Sequence, residues 1–376
     1  MKTPHVLFSS LLAIGVMLPS PTQAQDQAIA VPGAVFAMTN DVDNNSVVAY
    51  SRAVDGTLIQ GTTYSTGGRG SGGTIDPLAA QGALTLGTSH GLLFAANAGS
   101  GDITVFQVHG ATLTKTAQVP SEGAAPVAIA QRGGLLYVVN EGGQSNVTGF
   151  KLGTNGTLTH IANSTQFLSE VNTGPGSVAF SPNGQILLVT EKITGKINSY
   201  AISTGGLLTP LAANSSAGPG LFSVTFAASG TAIASETGPP NGTNASAITS
   251  YSVASNGTMT AISTSVPTLG TATCWEVATP TSTFVYASSA GGIISGYSIG
   301  SNGSLTPIGS TIVANLPSGS FNLDIAMSGD GKFLYTLDSG TGDVSEFGIN
   351  TDGTLTAIGS VTGLAGKAGV NGLAAY

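Results

Sequence analysis

The chain has 376 residues, of which 54 are glycine and only 7% are charged, and its formal net charge is −8 at pH 7. So few charges argue against amphipathic helices, which need a charged outer face, and so many glycines favour short strands joined by tight turns. Ten lysines and arginines in the whole chain argue against a nucleic-acid surface, which needs clustered cations. The sequence also lacks a basic amphipathic stretch of the kind that would indicate membrane binding.

The N-terminus has the pattern of a signal peptide, which we assign to residues 1–24. Lys2 supplies the positive charge, residues 6–18 are an apolar run too short to span a bilayer, and residues 22–24 (Thr-Gln-Ala) resemble a cleavage site. A buried N-terminal helix is the alternative, which the position and flanks disfavour. We therefore expect residues 25–376 to form one secreted or periplasmic domain. Cys274 is the only cysteine, so no intramolecular disulfide can form and stability must come from packing.

Two motifs recur seven times at intervals of about 50 residues. The first is a glycine turn that opens a strand, and its copies are residues 55–58, 110–113, 155–158, 205–208, 256–259, 302–305 and 352–355. The second is an apolar strand with a polar end, and its copies end at Asn40, Asn97, Asn140, Glu191, Glu236, Ser289 and Asp338. Such a period in units made only of strands is typical of β-propeller blades, because a solenoid of this period would need helices.

The sequence therefore predicts an all-β, seven-bladed β-propeller with four-stranded blades. In the fourth unit we expect strands at residues 177–181, 186–191, 196–202 and 207–211. The first unit lacks its innermost strand, and residues 370–376 resemble an innermost strand with nothing after it. We expect this C-terminal strand to complete the first blade and so close the ring.

The connections predict which end of the ring carries function. Those between first and second strands, and between third and fourth strands, are short turns. The long connections, such as residues 61–77, 163–176 and 238–247, belong to the other two classes and open at the opposite end, here called the loop face. The histidines fall outside this mouth, whereas Trp275 and Glu276 lie on an inner strand near the channel. We assign to the loop face the cations Arg69, Lys192, Lys196 and Lys367 and the carboxylates Asp41, Asp43, Glu141, Glu191, Glu236, Asp324 and Asp338.

Four segments carry a resemblance to a known family: FAMTNDVDNNSVVAY from residue 36, LYVVNEGGQSNVTGF from residue 136, VAFSPNGQILLVTEKITGKINSY from residue 178 and ATCWEVATP from residue 272. They resemble the bacterial lactonase family, which includes 6-phosphogluconolactonase and carboxymuconate cycloisomerase. The resemblance implies a seven-bladed propeller over residues 31–376 with any site at the channel mouth, where family members are associated with His, Arg and Glu. Glu191 or Glu236 matches the glutamate, and no histidine or inner-strand arginine matches the rest. An anionic substrate needs a cationic pocket, so this absence argues against phosphosugar and cycloisomerase chemistry.

Glu191 and Glu236 are the candidate catalytic residues. They end equivalent strands in adjacent units, and two nearby carboxylates at a channel mouth can act as acid and base, since each raises the other's pKa. The alternative is that this position favours a polar residue that caps a loop.

Five further residues are candidates for substrate binding: Asn97, Asn140, Trp275, Asp338 and Arg69. Asn97 and Asn140 would shape the pocket, and Trp275 would either stack on a sugar or lactone ring or fill space between blades. The glycine-rich run around Arg69 (GGRGSGG) would either cradle an anion or serve as a lid or linker. Residues 41–45 resemble the start of a calcium loop but lack its glycine and final glutamate, so a hairpin turn explains them better.

These observations lead to two hypotheses about function. The first is a secreted lactonase-like propeller, monomeric and without metal or cofactor, that hydrolyses or isomerises a small lactone or sugar-like molecule at the channel mouth. The second is a non-catalytic propeller that binds a protein or glycan through its loop face.

Overall fold

A computed structural model describes Met1 and residues 33–376 of the chain. The predicted signal peptide and its cleavage site lie outside these residues and stay predictions. Residues 33–376 form seven antiparallel sheets, the blades, arranged in a ring, as predicted. No helix within the described residues is long and apolar enough to cross a membrane.

Each blade contributes one innermost strand to the central channel and pairs the next three strands outward in chain order. The first blade contains β1 (Gly33–Met38), β2 (Ser46–Arg52) and β3 (Leu58–Ser65). The second contains β4 (Leu84–Leu86), β5 (Leu92–Asn97), β6 (Asp102–His109) and β7 (Thr112–Pro120). The third contains β8 (Ala124–Arg132), β9 (Leu135–Gly142) and β10 (Asn146–Leu152), and its outermost strand is split into β11 (Leu158–His160) and β12 (Gln166–Phe167).

The remaining blades are more regular. The fourth contains β13 (Pro175–Phe180), β14 (Ile186–Glu191), β15 (Lys196–Ile202) and β16 (Leu208–Ser215). The fifth contains β17 (Leu221–Phe226), β18 (Ala232–Glu236), β19 (Ala247–Val253) and β20 (Met259–Pro267). The sixth contains β21 (Thr273–Ala278), β22 (Phe284–Ser289), β23 (Ile293–Ile299) and β24 (Leu305–Asn315). The seventh contains β25 (Asn322–Met327), β26 (Phe333–Asp338), β27 (Asp343–Ile349) and β28 (Leu355–Val361), and β29 (Leu373–Ala375) follows.

Burial follows the position of each strand in its blade. The second strands are apolar on both faces and almost entirely buried, as β14 illustrates, because neighbouring blades pack against both sides of them. Outer strands such as β3 are mostly exposed, which suits their content of Ser, Thr and Gln.

The repeated glycine turns fasten each blade to the preceding one. Gly353 has a φ of 84°, which favours glycine, and a Cβ at this position would lie 2.7 Å from the ring of Phe284 in the preceding blade. Tyr286 Oη donates a hydrogen bond to Gly353 O (2.8 Å), and Tyr137 makes the same contact with Gly206. The turn therefore needs glycine for its conformation and for its close approach to the preceding blade.

The ring closes through the C-terminal strand, as predicted. β29 pairs antiparallel with β1, with Val35 opposite Ala375 and Ala37 opposite Leu373, and so supplies the missing innermost strand of the first blade. Arg52 Nε also donates to Tyr376 O (3.2 Å). The last and first blades are joined further out by the Tyr335 hydroxyl, which donates to Gly56 O (2.9 Å).

We expect deletion of residues 368–376 to abolish the single cooperative unfolding transition of the ring, because it exposes the edge of β1 and removes the closing strand. Thermal unfolding followed by circular dichroism checks this. The substitution Lys367→Ala, at an exposed position just before the deletion, is the control and should leave the transition unchanged. A deletion variant with the wild-type transition would disprove the role of β29 in closure.

Candidate active site in the channel

The channel is crossed by the connection between the first and second blades. Residues 74–82, here called the plug, enter from the loop face, and their Leu78 and Ala80 side chains are at most 2% exposed. Asp76 and Ala79 of the plug have φ values of 37° and 43°, a conformation that non-glycine residues rarely adopt. Strained residues of this kind persist where surrounding contacts impose them, often at functional sites.

Hydrogen bonds from several blades hold the plug across the channel. Trp275 Nε1 of the sixth blade donates to Ala80 O (3.1 Å), and the Gln81 side chain bonds both the N–H and the carbonyl of Glu276. Gln81 N donates to Gly176 O of the fourth blade (2.8 Å). The plug thus braces the ring across its axis.

Asp76, which belongs to the plug, and Lys192, which does not, both contact Ala79. Asp76 Oδ1 accepts from Ala79 N (3.0 Å) and from Asn371 Nδ2 (2.8 Å). Lys192 Nζ, from the turn after β14, donates to Ala79 O and to Pro175 O. Both side chains keep some exposed surface at the loop face. Sequence analysis placed Lys192 at this mouth but overlooked Asp76, which lies in a connection with no counterpart in the other blades.

Burial changes the acidity of both groups. It raises the pKa of Asp76 to about 6, although Lys192 and the two hydrogen bonds oppose the change. It lowers the pKa of Lys192, against the attraction of Glu141 and Asp76. An aspartate whose pKa lies near neutral pH, close to an ammonium group, is an arrangement that suits general-base catalysis.

Glu276 and Asp324 are two further carboxyl groups beside the channel, and both are almost fully buried. Ser223 Oγ donates to Glu276 Oε2 (2.6 Å), whereas Glu276 Oε1 has no partner. Asp324 Oδ2 accepts from Gly372 N (2.7 Å). Burial raises the pKa of each to about 8, so both are largely protonated at pH 7.

The sheet registers show that the fold does not require an acid at position 276. Glu276 lies opposite Ala287, two residues before the polar end of β22. In the other blades the residue at this register position is Leu84, Ile129, Val178, Val224, Ile325 and, by extension of the β29 register, Gly372. A buried carboxyl group in a ring of otherwise apolar residues costs stability, so a role outside packing is the better explanation for it.

The structure places Glu191 and Glu236 one strand outward from the channel, where both are fully buried. Glu191 accepts hydrogen bonds from Ser169 N (2.8 Å), Ser169 Oγ (2.5 Å), Thr194 Oγ1 (2.5 Å) and Asn198 Nδ2 (2.6 Å). Burial opposes its ionisation, but these hydrogen bonds prevail and hold the pKa of Glu191 below its usual value. These contacts fix the connection between blades, as in the loop-capping alternative, and the catalytic role of the residue stays a prediction.

Glu236 has an equivalent set of partners. It accepts from Gly218 N (2.9 Å), Thr249 Oγ1 (2.7 Å), Ser265 Oγ (2.7 Å) and Ser216 Oγ (3.3 Å). The two glutamates therefore support separate loops, and no hydrogen bond joins one to the other.

The predicted substrate-binding residues occupy several places. Asn97, at the end of β5, and Asn140, near the end of β9, are fully buried. Asn97 Nδ2 donates to Asp102 Oδ1 (2.6 Å), and Asn140 Nδ2 donates to Ser121 O (3.2 Å). Trp275 is fully buried between the plug and Phe222, with ring centroids 5.2 Å apart. Stacking of Trp275 on a substrate would therefore require the plug to move.

Asp338 and Arg69 lie away from the plug. Asp338 Oδ1 accepts from Phe321 N and Gly340 N, both at 2.8 Å, and so holds the turn after β26. Arg69 is exposed in the glycine-rich run, whose backbone is tied down through Arg69 O to Gly99 N (2.9 Å) and Gly70 N to Asp41 O (2.6 Å). These bonds tie the run to the first two blades, and the predicted roles of Arg69 and the run, as an anion cradle or as a lid or linker, stay predictions.

The described residues contain no group of three or more His, Cys, Asp or Glu side chains that could hold a metal ion.

The raised pKa of Glu276 gives a testable dependence of stability on pH. The unfolded chain releases this proton near pH 4.5 and the folded chain near pH 8, so folding stability falls as pH rises between these values. We expect Glu276→Gln to remove the contribution of Glu276 to this slope, which is on the order of a few kcal/mol in total, and to keep that of Asp324. Urea unfolding between pH 4 and 9 measures it, and parallel curves for wild type and variant would refute it.

Glu191→Gln is the matched control, because Glu191 should change the stability with pH in the opposite direction. Because its pKa is lowered in the folded protein, the contribution of Glu191 is present at neutral pH and lost as pH falls below about 4.5. The variant should be less stable than wild type at pH 7, and the difference should shrink in acid.

Comparison with known proteins agrees with this architecture. The family model described as lactonase, seven-bladed β-propeller, matches residues 38–171 and 122–226, which together span 189 of the 376 residues. A comparison with curated protein sequences gave no match.

Several solved structures share the fold. A Bacteroides uniformis protein with an inferred 6-phosphogluconolactonase assignment is 17% identical, with a TM-score of 0.69 over 90% of this chain and 98% of that one. A protein from Lactobacillus plantarum is 16% identical, with a TM-score of 0.69 over 91% and 98%. The periplasmic gluconolactonase PpgL from Pseudomonas aeruginosa is 15% identical, with a TM-score of 0.63 over 90% and 98%. At these identities the likeness concerns the fold, and it is the family match that classifies the sequence. The chain belongs to the seven-bladed lactonase β-propeller family.

Proposed function

We propose that the protein hydrolyses a small, uncharged lactone at the loop-face mouth of the channel. The observation that carries the proposal is the pairing of Asp76 and Lys192 on the two sides of Ala79, with the pKa of Asp76 raised to about 6. Membership of the lactonase family and the likeness to a protein described as a gluconolactonase support the choice of reaction.

In this proposal Asp76 is the general base. Its Oδ1 is engaged by Ala79 N and Asn371 Nδ2, and its Oδ2 makes no hydrogen bond within the described residues, so Oδ2 is free to accept a proton from water. The activated water attacks the lactone carbonyl carbon. Lys192 uses two of its three N–H donors on backbone carbonyls, and the third would stabilise the oxyanion. As the ring C–O bond breaks, Asp76 returns the proton to the departing alkoxide, and the product is a hydroxy acid.

The charges around the plug favour an uncharged substrate. Lys192 interacts with both Asp76 and Glu141, so two carboxyl groups face one cation there, and the largely protonated Asp324 adds no further charge at pH 7. A phosphate or carboxylate group on the lactone would be repelled there more than it would be attracted. A neutral sugar lactone avoids this cost.

The second candidate function is non-catalytic binding of a protein or glycan through the loop face. The specific observation in its favour is the plug, whose buried residues Leu78 and Ala80 occupy space in the channel that a substrate would otherwise use. For either function we propose a secreted or periplasmic location, supported by the signal-peptide pattern and by a neighbour described as periplasmic.

The test of the catalytic proposal is hydrolysis of glucono-δ-lactone, followed by proton release and corrected for spontaneous opening. We expect Asp76→Asn to lower kcat/KM at least about 100-fold, because it removes the base but keeps the Oδ1 acceptor that holds the plug. The wild-type kcat/KM should fall as pH drops through about 6, since Asp76 must be ionised to act. Lys192→Met should lower kcat/KM by a similar factor.

Glu191→Gln and Glu236→Gln are the controls and should retain turnover in correctly folded protein. Loss of turnover in these variants with activity kept in Asp76→Asn would transfer the catalytic role to the two glutamates. Absence of hydrolysis by the wild type over a panel of neutral lactones would favour the binding function.

A further inference from the structure

A second cavity lies outside the channel, between the sixth and seventh blades near the loop face. Its volume is about 340 Å³, which falls within the range of small-molecule pockets. Its lining includes the apolar residues Leu316 and Phe347 and the polar residues Asp338, Asp343 and Ser320. None of the residues that line it is a lysine, arginine or histidine.

Two polar atoms at this cavity lack partners. Ser320 Oγ is buried and makes no hydrogen bond. Asp338 is 3% exposed, and its hydrogen bonds within the described residues all go to Oδ1, which leaves Oδ2 unengaged. Of the two, only Ser320 Oγ is a fully buried atom without a partner, which is unusual, whereas Asp338 Oδ2 is accessible to solvent. A free carboxylate oxygen and an unpartnered hydroxyl in one cavity lining suit a bound group that supplies donors.

In the equivalent groove of the fourth blade, protein side chains fill the corresponding space. There Glu191 stands in the place of Asp338 and reaches Asn198, which stands in the place of Ser345. Its two oxygens are fully engaged, and the groove is smaller, at about 240 Å³. The shorter Asp338 and Ser345 side chains leave the space in the seventh blade unfilled. The strand order is the same in both blades, and the shorter side chains accompany the larger cavity.

We propose that this cavity binds a small organic amine, with the ammonium group between Asp338 and Asp343 and its alkyl chain against Leu316 and Phe347. An ammonium group carries three N–H donors and a positive charge, so it can satisfy Asp338 Oδ2 and Ser320 Oγ together. The site is separate from the plug and does not depend on the lactonase proposal.

Isothermal titration of the full chain with 1,4-diaminobutane tests the proposal, with 1,4-butanediol as the uncharged probe of the same length. The diamine should bind saturably and the diol should not. Asp338→Asn and Asp343→Asn should each raise the Kd about tenfold or more. Asp338→Asn keeps the Oδ1 acceptor of the turn, so its fold should be retained, and a thermal transition checks this.

Two matched variants separate this site from the rest of the protein. Glu191→Gln makes the same charge change in the occupied groove of the fourth blade, and Asp76→Asn makes it at the plug, and both should leave the Kd for the diamine unchanged. Equal binding of diamine and diol, an unchanged Kd in both Asp338→Asn and Asp343→Asn, or no binding at about 10 mM diamine would overturn the proposal.

Discussion

The contact on which the whole ring depends is the docking of each glycine turn against the blade before it. The turn between third and fourth strands has a left-handed glycine in every blade, and in six of the seven a Cβ there would clash with the preceding blade, Gly110 being the exception. Where that neighbour is tyrosine, its hydroxyl satisfies the turn carbonyl, as Tyr137, Tyr286 and Tyr335 do. Because the chain has few charges and no disulfide, this repeated contact and the apolar second strands carry the cohesion between blades.

A ring built from radial sheets leaves its axis open, and here the chain fills the axis with its own plug. The plug is bonded by backbone and side chains of blades that are far apart in sequence, so it joins them across the centre as well as around the circumference. This cross-link explains why Trp275 is fully buried and why Gln81 pairs with the backbone of β21. It also brings Asp76 to the mouth, far from any position that the repeat would assign to an acid.

The repeat made the fold predictable from the sequence, since seven glycine turns and seven apolar strands indicate seven blades. The missing innermost strand of the first unit indicates that residues 370–376 close the ring. In the fourth blade β14 and β15 were predicted at their observed bounds, whereas the outermost strand runs to Ser215, beyond the expected residue 211, because an exposed edge strand has no apolar pattern to mark its end. The candidate site was less readable. Asp76 lies in a segment without a repeat equivalent, and its path into the channel depends on contacts made over nearly 300 residues, such as that with Asn371.

Glu191 and Glu236 show the converse limit of sequence reasoning. The two residues do occupy equivalent positions in the repeat, each at the end of a second strand. These strands belong to different blades, so the repeat gives the two residues similar surroundings without joining them in one site. Each is satisfied by its own loop. A departure from the repeat is the more informative signal, as Glu276 illustrates among its apolar equivalents.

The plug also links architecture to chemistry. Burial of Asp76 and Lys192 raises the pKa of the acid and lowers the pKa of the amine, so desolvation brings both pKa values closer to neutral pH. The attraction between the two charges shifts both pKa values in the opposite direction. The plug packs against the fourth and sixth blades, and Asn371, just before the closing strand, also contacts Asp76. The segment that braces the ring is therefore also the one that sets the acidity of the groups at its mouth, and a change in how it packs would alter stability and reactivity together.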